Sequence, residues 1–364
     1  HIGEFLSRAA RLLEAAGAFD DAFELFREAT DWAAAGRLIQ RRASDLLSHG
    51  RGQTLREWIQ ALPDEMLEEQ PWLLYWLGTS LTPLNQPHAR EYLERAFERF
   101  RALGDSIGQA LSAAGSIDAY VFEWNDFRPV RRWVDALDLL IDRLQLADHP
   151  DLEQRVLSSF LLGMLYVAPD HARLPWCVAR VTEMLDEDLE VASKFAVATR
   201  LLAYCNLTAD EARASVAAAR GSTLFELADV TPFARLWWLL RLALHSIESG
   251  LCEEALALLD DAEDIAIAEG FQHVGNVMSL LWMYRVIAAG TQGDLRATTE
   301  NAQGLTKLGL PSSPVASYNL CLAAVCRNLA AGKSSALATN ESSCVESARS
   351  TGMVYLEILA LTHR

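Results

Sequence analysis

Arginine and tryptophan recur together at a fixed spacing in the second half of the chain. Trp238 precedes Arg241 by three residues, and Trp282 precedes Arg285 by three. Residues three apart share one face of a helix. A guanidinium group binds carboxylates and phosphates through paired, charge-assisted hydrogen bonds. The pattern therefore indicates a site for an anionic small molecule or an acidic peptide.

Arg200 and His245 extend this pattern. Arg200 stands at a comparable place on an earlier predicted helix, nine residues before its expected end, and His245 lies close to Arg241. If successive inner helices of a repeat protein line its concave wall, these side chains form one column. The candidate ligand site then comprises Arg200, Trp238, Arg241, His245, Trp282 and Arg285. The alternative is that the arginines lie along apolar surface and pair with acids on neighbouring helices.

Sequence signatures of other chemistry are weak. Gly332-Lys333-Ser334 resembles the end of a phosphate-binding loop, but Arg327 stands where that motif needs its first glycine. The eight histidines are spread out, and the zinc-protease, serine-hydrolase and EF-hand motifs do not occur. We expect no enzyme, no metal site and no cofactor in this segment. Trp58, Trp72 and Trp76 are expected to pack between repeats, with an aromatic cradle for a ring ligand as the alternative.

Composition narrows the class of partner. The net charge of −17 argues against direct nucleic-acid binding, because phosphates require a basic surface. No apolar run reaches the length of a membrane span, and no signal peptide opens the chain. The six cysteines are scattered in apolar contexts, which predicts buried, reduced thiols and a cytoplasmic protein.

Helical periodicity runs through the whole chain, and strand patterns are nearly absent. Helices of about 12–18 residues are predicted, a length typical of globular helices. The expected breaks between them are Gly17, Gly50, Pro87, Gly104, Pro150, Pro169, Gly221, Gly250, Gly270, Gly293, Gly309 and Gly332.

A turn motif recurs within the predicted helix pairs. Gly17 is followed by two acids, then by Ala22 and Phe26, and Gly250 is followed by Ala255 and Leu259 at the same spacings. Glycine permits the chain reversal, the acids suit the next helix's dipole, and alanine allows close helix approach. This is the tetratricopeptide pattern. It predicts an all-α fold of antiparallel helix-pair repeats forming a superhelical solenoid, as one domain over residues 1–364.

The N-terminal third carries a more specific resemblance. Its motifs include Arg8-Ala9-Ala10-Arg11-Leu12-Leu13-Glu14, Ala29-Thr30-Asp31-Trp32, Leu55-Arg56-Glu57-Trp58-Ile59-Gln60-Ala61-Leu62-Pro63, Pro71-Trp72-Leu73 and Ala96-Phe97-Glu98-Arg99-Phe100. This succession resembles the helical-repeat arm of the large MalT-type, LuxR-family bacterial transcription regulators and of related regulators with a bacterial transcriptional activator domain. The resemblance implies an upstream NTPase module, a DNA-binding domain at one end, and an arm that senses an inducer or a partner.

The sequence is therefore interpreted as a fragment, truncated at both ends, of a cytoplasmic transcription regulator. In this interpretation the segment binds a small-molecule inducer or a protein partner and relays that binding to self-assembly of the parent protein. Any ATP would bind elsewhere in that parent. The alternative is a stand-alone protein-interaction scaffold that holds a peptide or helix in its concave groove.

Overall fold

The computed structural model describes residues 2–227, 230–274, 276–308, 313–333, 337–354 and 356–357. Within these residues the chain is all-helical and contains no strand, which confirms the all-α prediction. Two 3₁₀ turns, Leu146–Asp148 and Phe271–His273, accompany the α-helices. The α-helices are α1 (Ile2–Ala15), α2 (Phe19–Glu28), α3 (Trp32–Ser48), α4 (Gly52–Gln60), α5 (Asp64–Glu69), α6 (Pro71–Leu81), α7 (Gln86–Leu103), α8 (Ser106–Glu123), α9 (Val130–Ile141), α10 (Pro150–Val167), α11 (Leu174–Glu183), α12 (Val191–Thr208), α13 (Glu211–Leu227), α14 (Pro232–Glu248), α15 (Cys252–Ala268), α16 (Val277–Thr291), α17 (Leu295–Lys307), α18 (Pro314–Ala330) and α19 (Leu337–Thr351).

The turn motif has the structure that its residue types predict. Gly17 and Gly250 have φ values of 82° and 78°, the left-handed conformation that glycine adopts without steric cost. After each glycine a helix begins with two acids in its first turn. The equivalent Ala22 and Ala255 are fully buried, as are Phe26 and Leu259 four residues later. The two helix pairs are therefore joined and packed in the same way.

The helices contact one another in a regular alternation from α6 onward. Each even-numbered helix from α6 to α18 contacts the next even-numbered helix, and we call this series the even row. Each odd-numbered helix from α7 to α17 contacts the two members of the even row that flank it in sequence. The largest apolar cluster runs continuously from Phe97 on α7 to Met353, and a second cluster unites α1 to α6.

Distant parts of the chain also meet at the end of α8. The side-chain amide of Asn276 donates to the Trp124 carbonyl oxygen at 2.9 Å, across 152 residues. The backbone N–H of Phe127 donates to the carbonyl oxygen of Thr351 at 2.8 Å. Residues at the start of α16 and at the end of α19 thus contact the segment that follows α8.

The predicted break at Gly221 is wrong. Gly221 lies inside α13, where the absence of a side chain admits the ring of Trp238 from α14. A Cβ atom at this position would lie 2.1 Å from the Trp238 Cη2 atom. The glycine is required for close helix packing. Gly309, another predicted break, and Ser334 of the Gly332-Lys333-Ser334 stretch lie outside the described residues.

The expectation that every cysteine is a reduced thiol is wrong for one pair. Cys321 on α18 and Cys344 on α19 form a disulfide, with their Cα atoms 5.5 Å apart. Cys177, Cys205 and Cys252 are free and buried, as expected. Burial raises the pKa of the Cys177 thiol to about 12, so this thiol stays protonated at neutral pH. Among the described helices, none is long and apolar enough to cross a membrane.

We predict that Gly221→Ala lowers the free energy of unfolding by roughly 1–2 kcal/mol, the net of an overpacking cost of about 2–3 kcal/mol and the gain of about 1 kcal/mol that alanine brings to a helix. The cost arises because the methyl group overlaps the Trp238 ring. Gly3→Ala is the control, since its Cβ meets its nearest neighbour at an ordinary 3.5 Å. Denaturant unfolding followed by circular dichroism measures both variants, and a Gly221→Ala protein as stable as the wild type would contradict the packing argument.

Candidate functional site

A partly open, largely apolar cavity of about 210 Å³ lies mainly among four consecutive members of the even row, α8, α10, α12 and α14, with Ser48 of α3 also in its wall. We call it the Arg241 cavity. Its wall includes Phe122, Leu162, Phe195 and Trp237. It adjoins a wider, more open groove of about 970 Å³, and the two share Phe122, Ala196 and Arg200 in their walls. Apolar clefts and cavities with a few polar groups are the usual form of small-molecule sites.

Three aromatic rings form one side of the cavity. The Phe122 ring of α8 lies 5.0 Å from that of Phe233 and 5.1 Å from that of Trp237, centroid to centroid. Phe233, Trp237 and Arg241 are spaced four apart on α14, so they share a helix face. The helix therefore presents two rings and a guanidinium group to the same space.

Arg241 is a buried cation whose partners are neutral. Its side chain is 3% exposed, and its Nη2 atom donates to the Tyr166 hydroxyl at 3.2 Å. The guanidinium carbon lies 5.4 Å from the Trp237 ring centroid and 5.6 Å from that of Trp124. Burial disfavours this charge, but the hydroxyls of Tyr166 and Tyr284 hold the pKa of Arg241 above its ordinary value. No carboxylate of the described residues lies within ion-pair distance of it.

A second cationic group stands at the border between the cavity and the groove. Asp118, 3% exposed, receives Arg155 Nη1 at 2.7 Å and Arg200 Nη2 at 2.8 Å, both on its Oδ2 atom. Ser159 donates to its Oδ1 atom at 2.9 Å. We call these four residues the Asp118 cluster. One carboxylate thus faces two guanidinium groups, which leaves a surplus of positive charge.

Of the two arginines that bind Asp118, Arg155 and Arg200, Arg200 has a buried hydrogen-bond donor left unpaired within the described residues. This donor is its Nε–H, which has no hydrogen-bond partner in the part of the chain that the structure describes. Burial lowers the pKa of Arg200 and the nearby charge of Arg155 lowers it further, while Asp118 opposes both effects. For Arg155, burial also disfavours the charge, but Asp118 and Tyr75 together raise its pKa above the ordinary value. An additional anion near Arg200 would offset the cost of burying its charge.

The sequence-predicted site residues separate into two groups. Arg200 and Arg241 line the same cavity. Trp238 and Trp282 do not, because their rings pack onto the backbone of Gly221 and Gly304 on neighbouring helices.

The other two residues of the predicted column also lie elsewhere. Arg285 makes ion pairs with Asp260 and Glu263 on α15, both at 2.6 Å. This is the pairing with neighbouring acids that the sequence left open. His245 lines a separate cavity of about 380 Å³ together with Glu211 and Glu248.

Sequence reasoning missed several residues that shape the cavity. Trp237, one position from the predicted Trp238, is the tryptophan in the wall, and Phe233 precedes it by one turn. The spacing of four along α14 was a usable signal for these two. Phe122 and Asp118 carried no comparable signal, because their partners lie far away in sequence. Among the described residues, no group of three or more His, Cys, Asp or Glu side chains could hold a metal ion.

We predict that Asp118→Asn lowers the free energy of unfolding by roughly 3–5 kcal/mol, because it leaves two buried guanidinium groups without a counter-charge. Adding Arg200→Gln to that variant should restore part of the loss, since the double variant buries one cation fewer.

The matched control is Asp142→Asn, which breaks the 2.6 Å ion pair with Arg173 at a carboxylate that is 66% exposed. An exposed pair of this kind contributes roughly 0–1 kcal/mol. Chemical denaturation of the four proteins measures the differences, and equal losses at Asp118 and Asp142 would rule out the charge argument.

Comparison with known proteins gives no family assignment for the chain. No family model matches it, and no curated protein matches it. We therefore infer the function of the chain from the Arg241 cavity, the Asp118 cluster and the sequence motifs of the N-terminal third.

Proposed function

We propose that this chain is the effector-sensing, helical-repeat arm of a cytoplasmic bacterial transcription regulator. A small molecule binds in the Arg241 cavity and changes the self-assembly of the parent protein. The observation that carries the proposal is a cavity walled by aromatic rings that contains a buried arginine with no carboxylate partner among the described residues. The segment performs no catalytic step, and any nucleotide binds elsewhere in the parent.

A tetratricopeptide-like superhelix is part of this proposal. It is supported by the alternation of contacts, in which the even row is continuous and the odd-numbered helices flank it. It is also supported by the matching turns at Gly17 and Gly250, each followed by a buried alanine and a larger buried side chain. In such arrays each repeat packs mainly on its neighbours, and the inner helices form an extended concave surface.

The position of the cavity supports the proposal that ligand binding changes the arrangement of several repeats. Its wall comes mainly from four consecutive members of the even row, so one bound molecule contacts several repeats at once. A ligand that binds one arrangement of these helices more tightly shifts the population toward that arrangement, within the limit of its differential affinity. The end of α8 also holds Asn276 and Thr351 through hydrogen bonds, which extends the mechanical connection to α16 and to the end of α19.

The link to transcription rests on the motifs in about the first 130 residues. They resemble the repeat arm of the MalT-type regulators, in which such an arm accompanies an NTPase module and a DNA-binding domain. The formal charge of −17 is unfavourable for contact of this segment with DNA, so the proposal assigns DNA binding to another domain.

A second candidate is a stand-alone scaffold that binds a peptide or a helix. The observation that favours it is the open groove of about 970 Å³ beside the cavity, whose wall includes Tyr75, Trp76 and His149. A groove of this width accepts an extended partner more readily than the smaller cavity does.

Two results distinguish these candidates. The regulator proposal predicts a G-x-x-x-x-G-K-[ST] loop upstream in the parent reading frame and a DNA-binding or activator domain at one end. It also predicts that small-molecule fractions from the source cells raise the melting temperature of this chain, but not that of Ala234→Trp, which fills the cavity at a position that does not line the groove. Ala219→Trp, on an exposed position of α13, is the matched control.

A reading frame without those flanking domains would overturn the regulator proposal. Stabilisation by a peptide fraction that persists in Ala234→Trp, whose position lines the cavity and not the groove, would favour the scaffold. Sequencing of the locus and thermal-shift measurements provide both results.

A further inference from the structure

We infer that the ligand of the Arg241 cavity is an amphipathic organic anion, with an apolar, ring-bearing body and one anionic head that pairs with Arg241 and Arg200. The inference rests on the proposed effector site and names the chemical class of its ligand. It follows from three properties of the cavity: an uncompensated buried charge, a second cation in the same wall, and an aromatic lining.

The uncompensated charge is that of Arg241. Burying a guanidinium group away from water is costly unless an opposite charge accompanies it. Tyr166 and Tyr284 supply hydroxyl groups, and Trp124 and Trp237 supply ring faces, but none of these supplies a negative charge. Within the described residues the guanidinium lacks a carboxylate, so an anionic ligand in the cavity would complete its environment.

Arg200 provides the second contact for the anionic head. It lines the same cavity as Arg241, and its Nε–H is a buried donor without an acceptor. Asp118 does not neutralise the whole cluster, because it is shared with Arg155 on the same oxygen atom. Two arginines in one cavity wall thus present unsatisfied positive charge to a single bound molecule. Charge-assisted hydrogen bonds to guanidinium groups are among the strongest that proteins form.

The residues that line the cavity determine the chemistry of the rest of the ligand. Phe122, Phe233 and Trp237 form a continuous aromatic surface on one side, and Phe195 lies in the wall contributed by α12. A cavity of about 210 Å³ is below the usual range of about 300–1,000 Å³ for drug-sized ligands. One ring with a short chain fills it. The head therefore lies at the arginines while the body stacks among the rings.

A neutral polyol fits this site poorly. Apart from the arginines, polar groups of the wall include the hydroxyls of Thr199 and Thr231, and both are already engaged within their own helices. Thr199 donates to the Phe195 carbonyl oxygen at 2.9 Å, and Thr231 accepts from the Ala234 N–H at 3.4 Å. Within the described residues, the buried donors of the wall that lack a partner are the Arg200 Nε–H and the Trp237 Nε1–H. Donors suit the acceptor oxygens of an anion, whereas a sugar must also find acceptors for its own hydroxyl groups.

The test compares four probes that differ in one property at a time. Phenylbutyrate carries the ring and a carboxylate, phenylbutyl phosphate carries the ring and a phosphate, phenylbutanamide is the neutral isostere, and butyrate lacks the ring. Isothermal titration calorimetry gives the dissociation constant of each. We expect the ring-bearing anions to bind. Phenylbutanamide should bind at least roughly tenfold more weakly because it loses a charge-assisted contact, and butyrate at least roughly tenfold more weakly because it buries no ring against the aromatic lining. The ratio of the dissociation constants of phenylbutyrate and phenylbutyl phosphate shows whether the site prefers a carboxylate or a phosphate head group.

Variants assign the binding to this cavity. Arg241→Gln should weaken phenylbutyrate binding roughly tenfold or more and leave the phenylbutanamide affinity nearly unchanged. Arg285→Gln is the matched control, because it removes a mostly buried, ion-paired arginine outside the cavity. Ala234→Trp should abolish phenylbutyrate binding, because Ala234 lines the cavity and not the groove. Ala219→Trp should not abolish it, and circular dichroism verifies that each variant is folded.

Three outcomes would overturn the inference: no binding of either ring-bearing anion, equal affinity for phenylbutyrate and its amide, or phenylbutyrate binding unchanged in both Arg241→Gln and Ala234→Trp. These failures are distinct from failure of the proposed function. A neutral probe that binds wild type and not Ala234→Trp keeps the effector site and rejects the anion. A parent reading frame without flanking regulator domains rejects the regulator and leaves the anion site standing.

Discussion

The buried charge of Arg241 is the constraint around which the middle of the molecule is organised. Trp124 at the end of α8, Tyr166 on α10, Trp237 on α14 and Tyr284 on α16 all contact this one guanidinium group. Burial raises the pKa of the Tyr284 phenol to about 12, so both hydroxyl partners stay neutral at physiological pH. The four helices therefore surround a cation with dipoles and ring faces. Such an arrangement tolerates the charge without neutralising it.

Contacts between distant helices also distinguish the molecule from an array in which each repeat touches only its neighbours. In an ideal repeat array, contacts extend only to neighbouring repeats, and local disruption stays local. Here the Asp118 cluster joins α8 to α12 across 82 residues, and Asn276 joins α16 to the end of α8 across 152. The helices around the cavity therefore contact segments well beyond the adjoining repeats.

The sequence predicted what depends on local chemistry. Helix ends at Gly17 and Gly250 follow from glycine's left-handed conformation, and both occur as expected. Gly221 was mistaken for a break because a glycine in a close helix contact and a glycine in a turn have the same local sequence signal. Trp238 and Trp237 are adjacent, and only the packing of α13 decides which of them faces the cavity. The pairing of Asp118 with Arg155 and Arg200 is a property of the tertiary structure, and spacing along one helix could not reveal it.

The most direct test of the central claim is to locate a bound anion by its own scattering. Crystals of the chain grown with bromophenyl butyrate would give an anomalous signal at the bromine atom. The account predicts that this signal lies among Phe122, Phe233 and Trp237, with the carboxylate against Arg241 and Arg200. A bromine signal confined to the open groove beside Tyr75 and Trp76, with the Arg241 cavity empty, would contradict it.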